Sequence, residues 1–293
     1  MKILDKRHDD LLSGSEVWFV RPDHLDDVFR VCVTSNADPA GGDRVPVVIA
    51  ADAELGGGAL QSLVRCAAVG LDLPPLYAVS VGYPLDAVPS FGVRRVRDLT
   101  PSVWPAYERA VPAMAGAPVP VVTGGADAYL AFLDEELKPA LAAAFPVDPD
   151  DAALVGQSFG GLLAVHALLT RPAAFRRYLV GSPSLWWNER ETLARARAAV
   201  AGSPAPRARV YLCVGELEHR ARFERQFRSV LPLLPPAMAG ADVQGDFFAL
   251  AEILSGWRDE GFSVEAHMFP EESHESITGA MLSRGLRRLY GYL

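Results

Sequence analysis

The sequence predicts an α/β fold, in which a mostly parallel sheet carries helices on both faces. Short apolar runs of strand length alternate with helical segments along nearly the whole chain. Half of the 293 residues are hydrophobic and 22% are charged, which is typical of a globular protein with a large core. A strand, turn and helix unit near the middle of the chain is a third observation that favours this fold class. We therefore expect a single domain over residues 1–293.

The predicted strands are runs rich in Val, Ile, Leu, Phe and Trp that are bounded by turn-forming residues. They cover residues 16–20, 28–34, 45–51, 76–81, 152–155, 177–180, 209–214 and 262–269. Reactive groups of a parallel sheet collect at the carboxyl ends of its strands. Each candidate catalytic residue should therefore follow a strand directly.

The predicted helices combine apolar periodicity with recognisable start and stop residues. They cover residues 56–69, 126–145, 159–170, 189–200, 220–231, 247–257 and 277–289. Residues 84–125 are rich in Pro, Gly and Ala and predict a long irregular segment. We expect lid or cap loops there and at 182–207.

A G-x-S-x-G pentapeptide, residues 156–160, joins the strand at 152–155 to a helix that Pro172 stops. In such a unit the serine lies on a strained turn, and the flanking glycines let the helix pass close to the strand. The first amides of the helix then face the space above the hydroxyl, where they stabilise negative charge. Ser158 is therefore the candidate nucleophile, and a chance match in a Gly-rich chain is the alternative.

A nucleophilic serine needs an imidazole as base and a carboxylate that orients the imidazole. Of the six histidines, only His274 both follows the last predicted strand and precedes the last helix, as the order Ser, acid, His requires. A solvated loop histidine is the alternative. The acid should follow the strand at 209–214, where Glu218 is favoured over Glu216 because the chain has left the strand by then. More distant candidates for the acid are Asp242 and Asp246.

Charge and cysteine content restrict the function classes. The formal net charge of −8 argues against nucleic-acid binding, which needs a basic face. Three cysteines, Cys32, Cys66 and Cys213, have no metal-type spacing and indicate a reducing compartment.

Residues 1–10 lack the apolar stretch of a secretory signal, and no run is long enough to span a membrane. We expect a cytoplasmic protein.

Several blocks besides the pentapeptide form a distinctive series along the chain. They are residues 45–52 (VPVVIAAD), 79–84 (VSVGYP), 94–101 (RRVRDLTP), 182–187 (SPSLWW), 215–218 (GELE) and 273–276 (SHES). With the pentapeptide, they resemble the putative-esterase branch of the α/β-hydrolases in the order of that family. This branch includes bacterial ferric-siderophore esterases of the enterobactin and salmochelin type and resembles esterase D.

The resemblance implies an α/β-hydrolase fold and a serine hydrolase that acts without a metal or organic cofactor. The implied catalytic residues are Ser158, Glu218 and His274. The implied oxyanion hole consists of the backbone N–H groups of Phe159 and of Gly82 or Tyr83. Two positions depart from the family pattern: Gln157 stands where His is common, and Asp52-Ala53 stands where Asp-Gly is often found.

Arginines and tryptophans near two strand ends are candidates for substrate binding. They are Arg94, Arg95, Arg97, Trp186 and Trp187. Guanidinium groups beside aromatic rings suit an aromatic anion such as a catecholate siderophore. In the alternative, the arginines form a solvated face paired with Asp98 and one tryptophan belongs to the core.

Three functions are compatible with these observations. The first is an esterase acting on siderophores or other lactones and depsipeptides, with a small-molecule ester as its partner. The second is a thioesterase, cyclase or acyltransferase of secondary metabolism. The third is a catalytically inactive hydrolase-like binding protein, against which the complete set of serine, acid and histidine counts.

Overall fold

The structure is a computed structural model that describes residues 1–8, 14–38, 42–70, 72–85, 91–115, 120–226, 228–229 and 231–291. Its strands are β1 Lys2–His8, β2 Glu16–Arg21, β3 Phe29–Ser35, β4 Val45–Ala50, β5 Tyr77–Gly82, β6 Val147–Gln157, β7 Arg177–Gly181, β8 Ala208–Gly215 and β9 Phe262–Phe269. These nine strands form one sheet in the order β1-β2-β3-β5-β4-β6-β7-β8-β9.

The sheet is mostly parallel, as predicted. Strand β4 pairs in parallel with β5 and β6, and β6, β7, β8 and β9 continue the parallel series. The antiparallel pairs are β1–β2, β2–β3 and β3–β5, at one side of the sheet. The carboxyl ends of β4 and β6 to β9 therefore lie along a common edge.

Helices cover both faces of this sheet. They are α1 Ala53–Gly70, α2 Phe91–Leu99, α3 Pro105–Ala115, α4 Ala126–Ala131, α5 Lys138–Ala144, α6 Phe159–Thr170, α7 Trp187–Gly202, α8 Arg220–Gln226, α9 Pro236–Ala239, α10 Val243–Leu254 and α11 Ile277–Leu289. A π-helical turn, Phe132–Leu137, joins α4 to α5 without a break. Helices α1 and α11 pack on one apolar cluster, whereas α4 to α7 and α10 pack on a second, larger one across the sheet. The predicted α/β class is confirmed.

Three element predictions were wrong or incomplete. The segment 84–125 is not irregular throughout, because α2 and α3 lie within it; residues 86–90 and 116–119 of that segment lie outside the described part of the chain. Strand β1 escaped prediction because every one of its residues is exposed, so it lacks an apolar pattern. Helix α8 ends at Gln226 and not at residue 231. The single-domain organisation and the lid or cap loops stay predictions.

Within the described residues, we find no helix that combines the length and the apolar character needed to cross a bilayer.

Candidate active site

The predicted sharp turn is present around Ser158, between β6 and α6. Ser158 has a φ of 60° and a ψ of −119°, in a region that residues with a side chain rarely adopt. A Cβ atom at Gly156 would lie 2.1 Å from the carbonyl oxygen of Gly160, so only glycine allows this approach. The Ser158 N–H donates to the carbonyl oxygen of Gly181, at 2.9 Å, which holds the turn against β7.

Glu218 lies in the turn after β8 and its carboxylate is buried, with 3% of the side chain exposed. Oxygen Oε1 accepts hydrogen bonds from the Ser182 hydroxyl at 2.5 Å and from the Gly215 N–H at 2.8 Å. Oxygen Oε2 lies 2.6 Å from His274 Nδ1. Because a carboxylate can only accept, the tautomer that fits this contact carries its proton on Nδ1 and has a lone pair on Nε2.

Glu216, the alternative acid, has a different environment. It is exposed, and its Oε2 accepts a hydrogen bond from the Glu271 N–H at 2.9 Å. The Glu216 N–H donates to the Phe269 carbonyl oxygen, and the Leu217 N–H donates to the Glu272 carbonyl oxygen, both at 2.9 Å. These bonds fasten the turn after β8 to the loop that carries His274.

Ser158 and His274 line one pocket at the carboxyl edge of the sheet. The Ser158 hydroxyl lies 3.4 Å from the hydroxyl of Ser184, whose N–H donates to the Ser158 carbonyl at 3.1 Å. Across the part of the chain that the structure describes, no direct hydrogen bond joins Ser158 Oγ to the imidazole. Such contacts between nucleophile and base are often loose before substrate binds, and they tighten in the complex.

The pocket has a volume of about 210 Å³ and its walls are mostly apolar. The apolar and aromatic lining residues are Tyr107, Phe159, Trp186, Leu217, Phe223, Met238 and Val243. Two charged side chains outside the Ser, Glu and His set also line it, Arg222 of α8 and Glu275. Arg222 is exposed and makes no ion pair among the described residues, so its charge is available to a ligand.

The predicted substrate-binding arginines lie elsewhere, on α2. Arg94 and Arg97 both bind Asp27, at 2.8 and 2.7 Å, and Arg97 also binds Asp98 at 2.7 Å. Arg95 binds Asp52 at 2.5 Å. None of these arginines is among the residues that line the pocket.

The three guanidinium groups of α2 are held by carboxylates of the β2–β3 connection, of the turn after β4 and of α2 itself. Their role in substrate binding stays a prediction, which their positions outside the pocket do not support. Arg95 approaches the site only through the ring of Phe159, 5.1 Å from its guanidinium carbon. The pocket cation is Arg222, which sequence reasoning missed because α8 has no motif.

The two tryptophans have different positions. Trp186 lines the pocket and is 7% exposed, whereas Trp187 is completely buried. The ring of Trp187 lies 5.0 Å from Trp104 and 4.9 Å from Tyr107, inside an aromatic cluster. Trp186 can therefore contact a ligand, and Trp187 supports the pocket wall from behind.

The implied oxyanion donors also need a correction. The Phe159 N–H, the first of α6, adjoins Ser158 as expected. The Tyr83 N–H instead donates to Glu54 Oε1 at 2.7 Å, and neither Gly82 nor Tyr83 lines the pocket. Strand β4 lies between β5 and β6 in the sheet, so the turn after β4 is closer to Ser158 than the end of β5.

Two serines near the site were not singled out by sequence reasoning. Ser182 donates to Glu218 from a left-handed conformation with a φ of 41°, and Ser184 contacts Ser158. Both belong to the SPSLWW block, whose position after β7 was the available signal. The described residues contain no group of three or more His, Cys, Asp and Glu side chains that could hold a metal ion. The absence of a cofactor stays a prediction.

Comparison with known proteins shows similarity to esterases. The family model described as "Putative esterase" matches residues 106–232. A siderophore enterobactin esterase of Emericella nidulans is 42% identical over 130 residues, which are 43% of this chain and 41% of that protein. The matched segment thus spans about two fifths of that relative.

Two further similarities extend over nearly the whole chain. The ferri-bacillibactin esterase BesA of Bacillus subtilis is 25% identical over 283 residues, which cover 94% of this chain and 89% of BesA. The solved structure of the siderophore hydrolase EstA from Aspergillus nidulans superimposes with a TM-score of 0.74 and 28% identity, covering 95% of this chain and 94% of that one. The chain is therefore similar to putative esterases and has the α/β-hydrolase fold.

Proposed function

We propose that this protein is a serine esterase that cleaves carboxylic esters through an acyl-enzyme. The observation that carries the proposal is the buried Glu218 carboxylate, which holds His274 Nδ1 at 2.6 Å in the pocket that also contains Ser158. The three residues come from turns after three different strands, so their convergence is unlike a chance match to a pentapeptide. The similarity to esterases supports the same chemistry.

The reaction follows from the hydrogen-bond directions. Ser158 Oγ attacks the ester carbonyl carbon while its proton passes to His274 Nε2. Glu218 stabilises the resulting imidazolium through Nδ1. The C–O bond to the leaving group then breaks and the alcohol takes the proton from Nε2. A water molecule repeats both steps on the acyl-enzyme and releases the acid and Ser158.

The oxyanion of the tetrahedral intermediate needs backbone donors near Ser158. The Phe159 N–H is one, since it opens α6 directly after the serine. For the second we propose an N–H group of the turn 51–53, because β4 adjoins β6 and a Cβ placed at Gly160 would lie 3.6 Å from Asp52 Cβ. Related hydrolases draw the second donor from the equivalent turn.

The pocket supports an ester with apolar or aromatic parts and a nearby anionic group. Its walls are largely apolar and its available cation is Arg222. The related proteins are named for enterobactin and ferri-bacillibactin, so we propose siderophore esters or other lactones and depsipeptides as the substrate class. The three cysteines, one of them exposed, form no disulfide with one another, which supports a reducing, cytoplasmic location.

A chromogenic butyryl ester tests the activity. We expect turnover by the wild type and a loss of at least about 10³-fold in Ser158→Ala, in line with the effect of removing a catalytic serine. Ser263→Ala, which removes an exposed hydroxyl of β9 outside the pocket, is the matched control and should retain the wild-type activity. Equal turnover by the wild type and Ser158→Ala would refute the assignment.

A second assay distinguishes hydrolysis of siderophores from acyl transfer. The protein is incubated with a trilactone siderophore, with and without Fe(III), and separately with an acyl thioester plus an amine or alcohol acceptor. Mass spectrometry should detect the linear hydrolysis products of the trilactone. Products carrying the acceptor, with no hydrolysis, would indicate a thioesterase-related acyltransferase instead.

A further inference from the structure

Gln157, the residue directly before Ser158, makes two hydrogen bonds to the chain segment that carries His274. Its Nε2 donates to the backbone carbonyl oxygen of His274, and its Oε1 accepts from Thr278 Oγ1 at 2.6 Å. A carbonyl oxygen can only accept, so the NH₂ end of the amide must face it. The other end then faces Thr278, whose hydroxyl is the donor.

Bonds from several segments hold the loop that carries His274. His274 lies in the connection between β9 and α11, and 37% of its side chain is exposed. The bonds from Glu216 and Leu217 fasten the beginning of this connection to β8, at Phe269 and Glu272. Gln157 is 8% exposed and fastens the later part, from the side of the nucleophile.

We propose that Gln157 is a positioning residue that sets the separation of Ser158 and His274, and that Thr278 orients its side-chain amide. The proposal rests on the proposed function of Ser158 and His274. Because Gln157 is bonded covalently to Ser158 and through Nε2 to His274, one side chain connects nucleophile and base. A displacement of about 1 Å between such groups costs up to about 10²-fold in rate.

Gln157→Met tests the proposal, since methionine has a similar length but neither of the polar groups. We expect kcat to fall about 10- to 100-fold, with KM changed less than about threefold because Gln157 does not line the substrate pocket. Thr278→Val should lower kcat in the same direction, and Thr278→Ser, which keeps the hydroxyl, should restore it. The double variant Gln157→Met with Thr278→Val should match Gln157→Met alone, because Thr278 acts through Gln157.

Hydrogen exchange gives a readout that does not need enzymatic activity. The backbone amides of residues 271–277 should exchange faster in Gln157→Met and in Thr278→Val than in the wild type and Thr278→Ser. A purely structural contribution of Gln157 would lower Tm but leave kcat and this local exchange unchanged.

The outcomes separate this inference from the proposed function. Wild-type kcat in Gln157→Met, or losses that add in the double variant, would overturn the positioning role while leaving the esterase assignment intact. If the wild type hydrolyses no ester, the proposed function fails, and hydrogen exchange of residues 271–277 tests the role of Gln157 by itself. Unchanged exchange in Gln157→Met overturns the positioning role. Faster exchange supports the anchoring of the loop by Gln157. If Gln157→Met does not fold, Thr278→Val and Thr278→Ser provide the same comparison.

Discussion

At the scale of single residues, the acid shows how two carboxylates two positions apart acquire different roles. Glu218 is buried and accepts hydrogen bonds from Ser182, Gly215 and His274. Glu216 is exposed and accepts one from the Glu271 backbone. The difference arises because the chain turns between them, after the last residue of β8.

Glu218→Gln should lower kcat by about 10³- to 10⁴-fold, because an amide no longer holds the Nδ1–H form of the His274 imidazole. The matched control is Glu216→Gln, a change of the same size two residues earlier, for which we expect less than a threefold effect. Both variants are compared by steady-state ester hydrolysis. A larger loss in Glu216→Gln than in Glu218→Gln would show that Glu216, and not Glu218, is the catalytic acid.

The environment of His267, on β9, should make the free energy of unfolding depend on pH. Burial and the Arg284 guanidinium, whose NH1 lies 2.7 Å from His267 Nε2, lower the pKa of this imidazole; Glu265 opposes the shift and Arg288 adds to it. As pH falls below the ordinary value of about 6.5, the unfolded chain therefore takes up a proton before the folded one, and stability decreases.

In His267→Gln this contribution is removed, so the free energy of unfolding should decrease less between about pH 7.5 and pH 5.5 than in the wild type. Denaturant unfolding at the two pH values measures the slope. His219→Gln, which changes the imidazole of the residue directly before α8, is the control for the substitution itself. An unchanged slope in His267→Gln would contradict the expectation.

At the scale of elements, the start of α1 combines two neighbouring glycines with opposite requirements. A Cβ at Gly57 would lie 2.9 Å from Ser80 Cβ on β5, so the helix can approach the sheet only because that position is glycine. A Cβ at Gly58 would have no atom within 4 Å. Packing does not require a glycine at position 58, and Gly58 only adds backbone freedom to the unfolded chain.

Gly58→Ala should raise the free energy of unfolding by about 0.5–1 kcal/mol, the difference between the two residues inside a helix. Gly57→Ala should lower it by about 1–3 kcal/mol, because α1 must move away from Ser80. The two substitutions are chemically identical and adjacent, so each serves as the other's control in denaturant unfolding. Equal effects would show that α1 does not pack against β5 as described.

At the scale of the whole molecule, an ion pair joins α2 to the turn after β4. Arg95 and Asp52 are almost buried, with 11% and 6% of their side chains exposed. The pair connects segments 43 residues apart and stands behind Phe159, the residue after the nucleophile. It therefore supports the wall of the site without entering the pocket.

Arg95→Met should lower the free energy of unfolding by about 3 kcal/mol, because Asp52 is left as a buried charge without its partner. The double variant with Asp52→Asn should recover part of the loss. Arg220→Met is the control: it removes an exposed pair with Glu224 within α8 and should leave stability nearly unchanged. A higher KM with unchanged stability in Arg95→Met would instead show that Arg95 contributes to substrate binding.

Features that depend on neighbours along the chain could be predicted from the amino-acid sequence. Apolar runs and helical periodicity predicted most of the strands and helices that build the sheet and its two covering layers. The pentapeptide predicted the sharp turn at Ser158, because its glycines are required by contacts within a few residues. The order of strands along the chain also placed Glu218 and His274 after the last two of them.

In contrast, the contacts between side chains of distant segments could not be predicted from the sequence and are visible only in the folded protein. The partners of Arg94, Arg95 and Arg97 lie on other segments, and no local pattern records them. The order β5-β4-β6 separates Tyr83 from Ser158, although both follow strands. The physical reason is that periodicity reports which face of an element is buried, whereas a charge or a hydrogen-bonding group selects its partner only after distant strands have paired.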